Sequence, residues 1–590
     1  MLTSRLPIGY VVAVNGTEIT LNINDDHRGQ VAAHADGISY IGQPSDFLGI
    51  DAGSDVIVAR ITSIQYAEPK HAHSAGVGGM YGYEEPLRQI SARSVGYLSR
   101  DAARMSFSAH EWRLPALGAA AFPLTRVEQL ATVAVPEGEA AILLGHDART
   151  GMVPVEVPLS TLLGRHLAVL GSTGQGKTNF VASLTQTLLN RLTHPRIVIF
   201  DINGEYANAF SHIQDNGLRI SVVGTKEKAN NDYGGKAEFL RIPYFALGRH
   251  GLGRLLLPSE KTQMPALRFS IDRLKYLQTD AEGAGLVGEK ISLFDDCRGG
   301  DASDALDVIS RLRDPVKLAE AKAWPHMRAL SCLAADWYAI QKTKGGHERS
   351  SFLFGHVQSL VNRIRSLIDD ERFRTVVDIE GGAPSNAGLN LDDEATTLIN
   401  KLFGSPEDDK AFKVHVIDMS NVAQDLMPFV LGSLLELFAS ELFKRGPSKS
   451  HPTFLVLEEA HHYLRQLPGD SETGQHALAY ERLAKEGRKF GLSLLVSTQR
   501  PSELSPTVLA QCGTWCVFRL TNEQDQRSIA SATEHGGGYI LKFLPGLPRG
   551  QAILLGGASP LPTVIATPEA APKPISSDAD FLVKWGIKPT

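Results

Sequence analysis

The chain has 590 residues, of which 43% are hydrophobic and 21% charged, with a formal net charge of −6 at pH 7. This composition is typical of a globular protein with several domains and excludes a disordered or fibrous chain. The negative charge excludes a surface that is basic throughout, so any contact with nucleic acid requires a local positive patch. Four cysteines are too few for a disulfide framework, which indicates a reducing compartment.

The apolar segments are too short or too interrupted to cross a bilayer. The best candidate, FVLGSLLELFASELF, contains Glu436 and Glu441. The first residues, MLTSRLPIGY, lack the charged start and long apolar core of a signal peptide. We therefore expect a cytoplasmic protein without a membrane contact.

Residues 1–150 contain short strand patterns and predict a small β-barrel. GYVVAV and TEITLNI surround an Asn-Gly pair, which is a strong hairpin signal, and Ile19, Leu21 and Ile23 share one face of the second strand. Further strand patterns occur at VIVARITSI and QISARSVGYL. The loop between these two patterns holds His71 and His73, for which a solvated loop is favoured over a metal site because no third ligand is nearby.

Residues 151–250 predict the first part of an α/β core that begins with a phosphate-binding loop. The segment GSTGQGKTN follows the strand-like HLAVL and precedes the helix-periodic FVASLTQTLLNRL. Its glycines leave room for backbone amides to face an anion, Lys177 would pair with terminal phosphate oxygens, and the Thr178 hydroxyl would ligate magnesium. The residues expected to contact the nucleotide are Gly171, Ser172, Thr173, Gly174, Gln175, Gly176, Lys177, Thr178 and Asn179. The alternative is a glycine turn before an ordinary helix.

The remaining chain divides into three zones. Residues 251–400 show helical periodicity and predict an inserted helical bundle. Residues 401–557 return to buried strands such as KVHVIDMS and GLSLLVSTQRP and complete the α/β core. Residues 558–590 are rich in proline and alanine, which predicts an extended, poorly packed tail whose last apolar cluster, near Phe581, could dock on a neighbour.

Two carboxylates follow the apolar run of FLVLEEAHHY and predict nucleotide hydrolysis. Glu458 at the strand tip would hold magnesium through water, and Glu459 would position and deprotonate an attacking water. Gln499, at the end of the next predicted strand, would lie beside the γ-phosphate and sense hydrolysis. The alternative is a strand that runs into an acidic helix N-terminus. A water-activating glutamate favours an NTPase whose output is motion or switching.

Taken in order, GSTGQGKTN, FDINGEY, IPYF followed by PSEKTQ, HVIDMS, LEEAHHY, EGRKFGL and VSTQRPSEL resemble the HerA ATPases of the FtsK/HerA motor class. The resemblance covers residues 1 to about 557. It implies an α/β, RecA-like P-loop ATPase core with an N-terminal β-barrel of the HAS type and an inserted helical bundle. It further implies ATP and Mg2+ as cofactors, a hexameric ring, double-stranded DNA in the pore, and a partner effector, either a nuclease or a sirtuin-type NADase, in DNA end processing or antiphage defence.

Within this resemblance, Glu458 takes the magnesium position and Glu459 the catalytic one. Most motors have Asp where this chain has Glu458, and the longer side chain makes a water-mediated contact with the metal more favourable. FDINGEY has Asn203 where the family more often has His, which leaves the roles of Asp201 and Glu205 open.

The resemblance also implies an arginine finger supplied by a neighbouring subunit. Arg488 fits this position, and Arg482 is the second candidate. A GTPase is disfavoured because the nearest match to its guanine-reading motif, NKLF at residues 400–403, lacks the aspartate. The competing hypothesis is a hexameric scaffold that switches a partner effector with little DNA pumping. Low overall basicity and the acid-containing loop RQLPGDSETGQHALAY support it.

Overall fold

The computed structural model describes residues 7–23, 31–34, 37–40, 46–66, 88–101, 104–109, 113–148, 151, 153–214, 217–278, 286–287, 306, 309–310, 312, 324–344, 346–381, 391–405, 412–447, 449–464, 479–533, 540–575 and 585–586. The chain forms two compact units. Unit 1 comprises Met1–Lys177 and Cys512–Pro568, and unit 2 comprises Thr178–Gln511 and Glu569–Thr590.

The elements are numbered in chain order. The strands before the phosphate loop are β1 (Gly9–Asn15), β2 (Glu18–Ile23), β3 (Val31–His34), β4 (Gly37–Tyr40), β5 (Phe47–Ala52), β6 (Asp55–Tyr66), β7 (Arg88–Asp101), β8 (Arg104–Ser108), β9 (Ala120–Pro123), β10 (Ala141–Asp147), β11 (Pro154–Pro158) and β12 (His166–Leu170). Those after it are β13 (Ile197–Asp201), β14 (Leu218–Val223), β15 (Glu238–Leu240), β16 (Ile242–Pro243), β17 (Leu277–Gln278), β18 (Leu286–Val287), β19 (Ile340–Thr343), β20 (Gly346–Arg349), β21 (Val377–Asp378), β22 (Val414–Asp418), β23 (Thr453–Leu457), β24 (Leu492–Thr498), β25 (Cys512–Phe518), β26 (Gln551–Gly556) and β27 (Thr563–Ala566). The α-helices are α1 (Arg126–Thr132), α2 (Leu159–Gly164), α3 (Lys177–Arg191), α4 (Lys226–Tyr233), α5 (Gly248–Leu256), α6 (Gln263–Arg273), α7 (Arg328–Ala339), α8 (Ser351–Asp369), α9 (Glu371–Val376), α10 (Leu391–Phe403), α11 (Met427–Arg445), α12 (Ala479–Glu486), α13 (Pro506–Gln511) and α14 (Glu523–Ala532).

The N-terminal part of unit 1 is the predicted β-barrel. Its strands follow the order β2-β1-β9-β5-β6-β7, and β2 also pairs with β7, which closes the barrel, while β8 extends from β7. Ile19, Leu21 and Ile23 are buried in its core, as their alternation in the sequence predicts. The turn between β1 and β2 is centred on Gly16 and Thr17, one residue later than the Asn-Gly pair suggested, because Asn15 still pairs with Glu18.

The second sheet segment of unit 1 carries the strand before the phosphate loop. Its order is β11-β10-β27-β26-β25-β12. β12 and β25 are parallel, whereas β26 and β27 join in antiparallel fashion. Every residue of β12 is buried, which explains why its sequence, HLAVL, is an unbroken apolar run ahead of the glycines.

Unit 2 contains a parallel sheet with the strand order β24-β23-β13-β22-β14-β15. Parallel strands end at one edge of a sheet, so the residues that follow β13, β22, β23 and β24 lie along a common edge. The α/β core with an N-terminal barrel is therefore confirmed. β14 and β15, which precede the helical segment, were not predicted from the sequence.

Helices dominate the described part of residues 251–400. α5, α6, α7, α8 and α9 lie here, and α7 packs between α6 and α8. β16 pairs with β21, so the chain enters and leaves this helical segment through one two-stranded contact. The antiparallel hairpin of β19 and β20 interrupts the helices and was not predicted.

The tail departs from the prediction of a poorly packed arm. β27 belongs to the second sheet segment of unit 1. Residues 569–575, here named the C-terminal strap, are hydrogen-bonded within unit 2: Ala570 N donates to Asn179 Oδ1 over 2.9 Å, and Ala571 N donates to Gln186 Oε1 over 3.0 Å. A proline-rich backbone has no internal hydrogen bonds, and polar side chains of α3 supply them here. The tail prediction was wrong for these residues.

Some predicted features lie outside the described residues, namely His71, His73, most of the loop RQLPGDSETGQHALAY, and Phe581, Leu582 and Val583 of the last apolar cluster. Trp585 of the same cluster is described and is exposed. Within the described part of the chain, no helix has both the length and the hydropathy that a bilayer crossing requires.

Candidate nucleotide site

The phosphate loop follows β12 directly and is built on conformations that favour glycine. Gly174 has φ +73° and Gly176 has φ +110°. Gly171 has φ +156°, and an added Cβ there would also lie 2.5 Å from Cβ of Phe518 in β25. Backbone conformation therefore favours glycine at all three positions, and close strand packing adds to it at Gly171.

Hydrogen bonds from the neighbouring loops hold the phosphate loop in place. Ser172 N donates to Arg519 O over 2.9 Å, and Gly550 N donates to Gln175 O over 3.0 Å. Lys177, which is 7% exposed, donates from Nζ to Ser172 O over 3.2 Å. The ammonium group is thus held against the loop whose glycines leave backbone groups accessible to a phosphate.

The remaining predicted loop residues differ in exposure. Thr173 is exposed, Thr178 and Asn179 are half-buried, and the last two belong to the first turn of α3 in unit 2. Asn179 also accepts the hydrogen bond from the C-terminal strap. The strap therefore begins at the helix that carries the predicted magnesium-binding hydroxyl.

Glu458 lies immediately after β23 and is 3% exposed. Burial raises the pKa of Glu458 well above its usual value, and the charges of Asp201, Glu205 and Glu459 raise it further. Its backbone oxygen accepts a hydrogen bond of 2.8 Å from the hydroxyl of Tyr463. Among the described residues its Oε2 makes no hydrogen bond within geometric limits, although the buried hydroxyl of Tyr206 is close enough to lower the pKa of Glu458 in part. A buried carboxylate oxygen of this kind matches the requirement of a cation or its bound water.

Glu459 has φ 42° and ψ 45°, the left-handed conformation, which costs a residue with a side chain on the order of 1–2 kcal/mol. Its backbone oxygen accepts from His462 N over 3.0 Å. Its carboxylate Oε2 lies 3.3 Å from Nδ1 of the buried His461. Left-handed backbone at a residue with a side chain is strained, and such strain is concentrated at functional sites.

Asp201 ends β13 and organises the loop that follows it. Its carboxylate accepts three backbone N–H groups, from Gly204 over 2.8 Å, Glu205 over 3.0 Å and Tyr206 over 2.8 Å. Burial raises the pKa of Asp201 to about 6, although these hydrogen bonds oppose the effect. Asn203 is exposed in the same loop. The sequence left the role of Asp201 open, and in the structure its carboxylate holds the loop that follows β13.

Asp418, which pairs with Asp201 across β22 and β13, holds a second loop. It accepts from Ser420 Oγ over 2.6 Å and from the Tyr233 hydroxyl over 2.6 Å, and it forms an ion pair of 3.2 Å with Lys228. Burial tends to raise the pKa of Asp418, but these partners outweigh it and the pKa lies below its usual value. Sequence reasoning missed this cluster, since Lys228 and Tyr233 are far from Asp418 along the chain.

The two candidate finger arginines have different surroundings. Arg482 lies with Cζ 4.1 Å from the centre of the Phe443 ring and with Nε 3.5 Å from Glu486. Arg488 is exposed, and its side chain has no partner among the described residues. Gln499 is half-buried immediately after β24.

The chain is similar to several known proteins. The model of the central domain of helicase HerA matches residues 142–316. A probable helicase of Methanocaldococcus jannaschii is 32% identical over 165 residues, a match of 27% of this chain and 31% of the relative. The DNA double-strand break repair helicase HerA of Pyrococcus furiosus is 28% identical over 450 residues, which cover 70% of this chain and 67% of the relative. The solved structure of VirB4 of Thermoanaerobacter pseudethanolicus aligns with a TM-score of 0.46 and 15% identity over 74% of this chain and 98% of that one.

The phosphate loop between β12 and α3 and the match to a helicase core domain define the class of this protein as a P-loop ATPase. Within that class, residues 142–316 match the central domain of helicase HerA, and 70% of the chain is similar, at 28% identity, to the HerA helicase of Pyrococcus furiosus.

Proposed function

We propose that this protein is a ring-forming, ATP-driven translocase or helicase of double-stranded DNA. It couples hydrolysis to DNA movement and to a partner effector, a nuclease or a sirtuin-type NADase, in DNA end processing or antiphage defence in the cytoplasm. The observation that carries the proposal is the acidic pair after β23, in which a buried glutamate with an open oxygen precedes a strained one. The relative from Pyrococcus furiosus, named a DNA double-strand break repair helicase, supports the choice of DNA.

The phosphate loop binds the nucleotide in this proposal. The backbone at Gly174 and Gly176 turns amides toward the phosphates, and Lys177 exchanges its contact with Ser172 O for phosphate oxygens. Bound ATP with Mg2+ supplies the bond to be cleaved and a divalent charge that offsets the phosphate charge. Thr178 and Glu458 are the residues that would hold the cation.

The donor set fits magnesium. Mg2+ is usually bound through one or two protein side chains together with phosphates and waters, and the open Oε2 of buried Glu458 provides such a position. No group of three or more His, Cys, Asp or Glu side chains within the described ranges is arranged as a metal cage. Glu459 accepts the proton of the attacking water, and Gln499 senses the terminal phosphate.

Arg488 acts in a neighbouring subunit. A guanidinium supplied in trans stabilises charge on the transferring phosphoryl group, so a lone subunit hydrolyses slowly. Its exposure and lack of a described partner support this role over Arg482, which is engaged by Phe443 and Glu486. The ring of six subunits follows from the same requirement and from the family.

The first test separates binding from turnover. Glu459→Gln is expected to bind a fluorescent ATP analogue with unchanged affinity and to lose steady-state ATP hydrolysis. Glu523→Gln is the matched control because Glu523 is an exposed helix residue paired with Arg527. Normal turnover in Glu459→Gln would remove Glu459 from its role.

The second test addresses the ring. Subunits with Arg488→Ala are mixed with subunits with Glu459→Gln, each inactive by itself. Recovery of hydrolysis is expected, because some interfaces then pair an intact finger with an intact acid. Arg527→Ala in place of Arg488→Ala is the control, since Arg527 forms an exposed ion pair with Glu523 and its loss should leave the subunit active. No recovery would count against a finger in trans at Arg488.

The alternative function is a hexameric ATPase scaffold that assembles and switches an effector. The net charge of −6 favours it, since a DNA pump requires positive charge along its track. The two functions differ in their response to DNA. A translocase hydrolyses ATP faster with duplex DNA, with a stimulation that declines as salt rises, whereas a scaffold responds to its partner and not to DNA.

A further inference from the structure

We propose that His461 is a positioning residue for ATP hydrolysis. It orients the carboxylate of Glu459 and couples this carboxylate to Thr498, the last residue of β24. The inference rests on the proposed catalytic role of Glu459.

The geometry centres on one ring nitrogen. Nδ1 of His461 lies 3.0 Å from Thr498 Oγ1, which is a hydrogen bond, and 3.3 Å from Glu459 Oε2, which is an ion-pair distance without hydrogen-bond geometry in this state. The imidazole is 4% exposed and packs on the ring of His462, with 4.1 Å between the ring centres. Water therefore competes little for these contacts, and hydrogen bonds in such a setting constrain orientation strongly.

Thr498 connects this nitrogen to the neighbouring strand. Its side chain is fully buried, and Oγ1 also accepts the backbone N–H of Arg500 over 3.0 Å. Gln499 lies between these two residues. The turn that carries the predicted γ-phosphate sensor is thus joined through one hydroxyl to the imidazole next to Glu459.

In the tautomer that carries a proton on Nδ1, this N–H can be donated fully to only one of its two neighbours, Glu459 or Thr498. Donation to Glu459 orients the carboxylate and reduces its basicity, whereas donation to Thr498 releases it. Because Glu459 is held in a strained left-handed turn, its side chain has few alternative positions. A shift of the turn at Gln499 therefore changes the contact of His461 with Glu459, which links the state of the terminal phosphate to water activation.

The test compares two replacements of His461. His461→Phe keeps a flat ring and removes both nitrogens, whereas the amide nitrogen of His461→Asn can occupy the place of Nδ1. His461→Phe is expected to lower kcat at least about tenfold, as is typical when a group that orients a catalytic ligand is lost. The affinity for a fluorescent ATP analogue should change less than about twofold, because the effect lies on turnover rather than binding. His461→Asn should restore most of kcat.

A double variant distinguishes action through Glu459 from a separate effect. In the Glu459→Gln background, His461→Phe should cause no further loss of the residual rate, since the group it positions is gone. If Glu459→Gln lacks turnover while His461→Phe hydrolyses ATP like the wild type, the inference is overturned and the proposed function stands. If Glu459→Gln keeps normal turnover, the proposed function itself fails.

A second pair of variants decides the question if changes at His461 prevent folding. Thr498→Val removes the competing acceptor with little change in shape, so Nδ1–H stays on Glu459 and kcat should fall at least about threefold. Thr498→Ser keeps the hydroxyl and should resemble the wild type. Equal kcat in Thr498→Val and Thr498→Ser would overturn the coupling between the two strands.

Discussion

The pH dependence of stability tests whether His415 in β22 is buried in its neutral form within the sheet of unit 2. Its Nδ1 donates to Leu402 O over 2.8 Å, so in the neutral ring Nε2 accepts from the Ser221 hydroxyl over 2.9 Å. The side chain is fully buried. Burial lowers the pKa of His415 from 6.5 to about 3, and the positive charges of Arg219 and Lys401 act in the same direction. The perturbation is His415→Asn, which keeps a donor for Leu402 O but does not titrate.

The loss of stability on acidification follows from the pKa of His415 in the unfolded chain, 6.5, and in the folded protein, about 3. The folded pKa lies below the unfolded one, so the unfolded chain takes up the proton first as the pH falls. The stability contributed by neutral His415 is therefore complete above pH 6.5 and declines between pH 6.5 and about 3. The slope is about 1.4 kcal/mol per pH unit, which gives a total of about 5 kcal/mol.

The free energy of unfolding that is lost in His415→Asn does not depend on pH. His415→Asn leaves the Ser221 hydroxyl without its acceptor and opens a small cavity, which together cost about 2 kcal/mol at all pH values. The wild type should be more stable at pH 7 and the variant at pH 4, with the two curves crossing near pH 5. Hydrogen exchange of peptides that cover β22, read by mass spectrometry from pH 7 to pH 4, measures both curves. Parallel curves over this range would refute the buried, neutral state of His415.

Three further changes test the phosphate loop and the strap. Lys177→Ala removes the ammonium that faces the phosphates and should weaken binding of a fluorescent ATP analogue by about 1.5–3 kcal/mol; unchanged affinity would place the phosphates elsewhere. Gly174→Ala, whose Cβ meets nothing within 4 Å, should cost only about 1–2 kcal/mol of backbone strain, whereas Gly171→Ala adds about 1–3 kcal/mol of overpacking against Phe518 to a strain of similar size. A thermal unfolding midpoint lower for Gly174→Ala than for Gly171→Ala would contradict this reasoning. Gln186→Ala removes the acceptor of the strap and should speed its hydrogen exchange without unfolding α3; unchanged protection would show that the strap is held by other contacts.

The strands of the core were predictable because their signals are local. β12, β13, β22, β23 and β24 are fully buried, so each is a short, predominantly apolar segment that a helical or alternating pattern does not fit. Glycine spacing and a following helical pattern likewise identify the phosphate loop without a structure. β14 escaped prediction because its first residues are half-buried and its pattern is less continuous.

Contacts between segments far apart in the chain could not be predicted from the sequence and became visible only in the tertiary structure. The strap was expected to be loosely packed because a proline-rich segment forms no hydrogen bonds within its own backbone. The side chain that accepts a hydrogen bond from it belongs to Gln186, about 385 residues earlier in the chain. The contact between His461 and Thr498 spans 37 residues and two strands. The motif LEEAHHY contains His461 but does not indicate what the ring touches.

By itself, the amino-acid sequence determined the class of this protein, the positions of its phosphate loop and acidic pair, and the barrel at its N-terminus. These features depend on periodicity, turn chemistry and residue spacing, which act over a few residues. Only the tertiary structure decided the left-handed turn at Glu459, the loop-holding role of Asp201, and the hydrogen bonds of the strap. Each of these depends on which strands become neighbours, because burial and hydrogen-bond geometry arise from segments far apart in the chain.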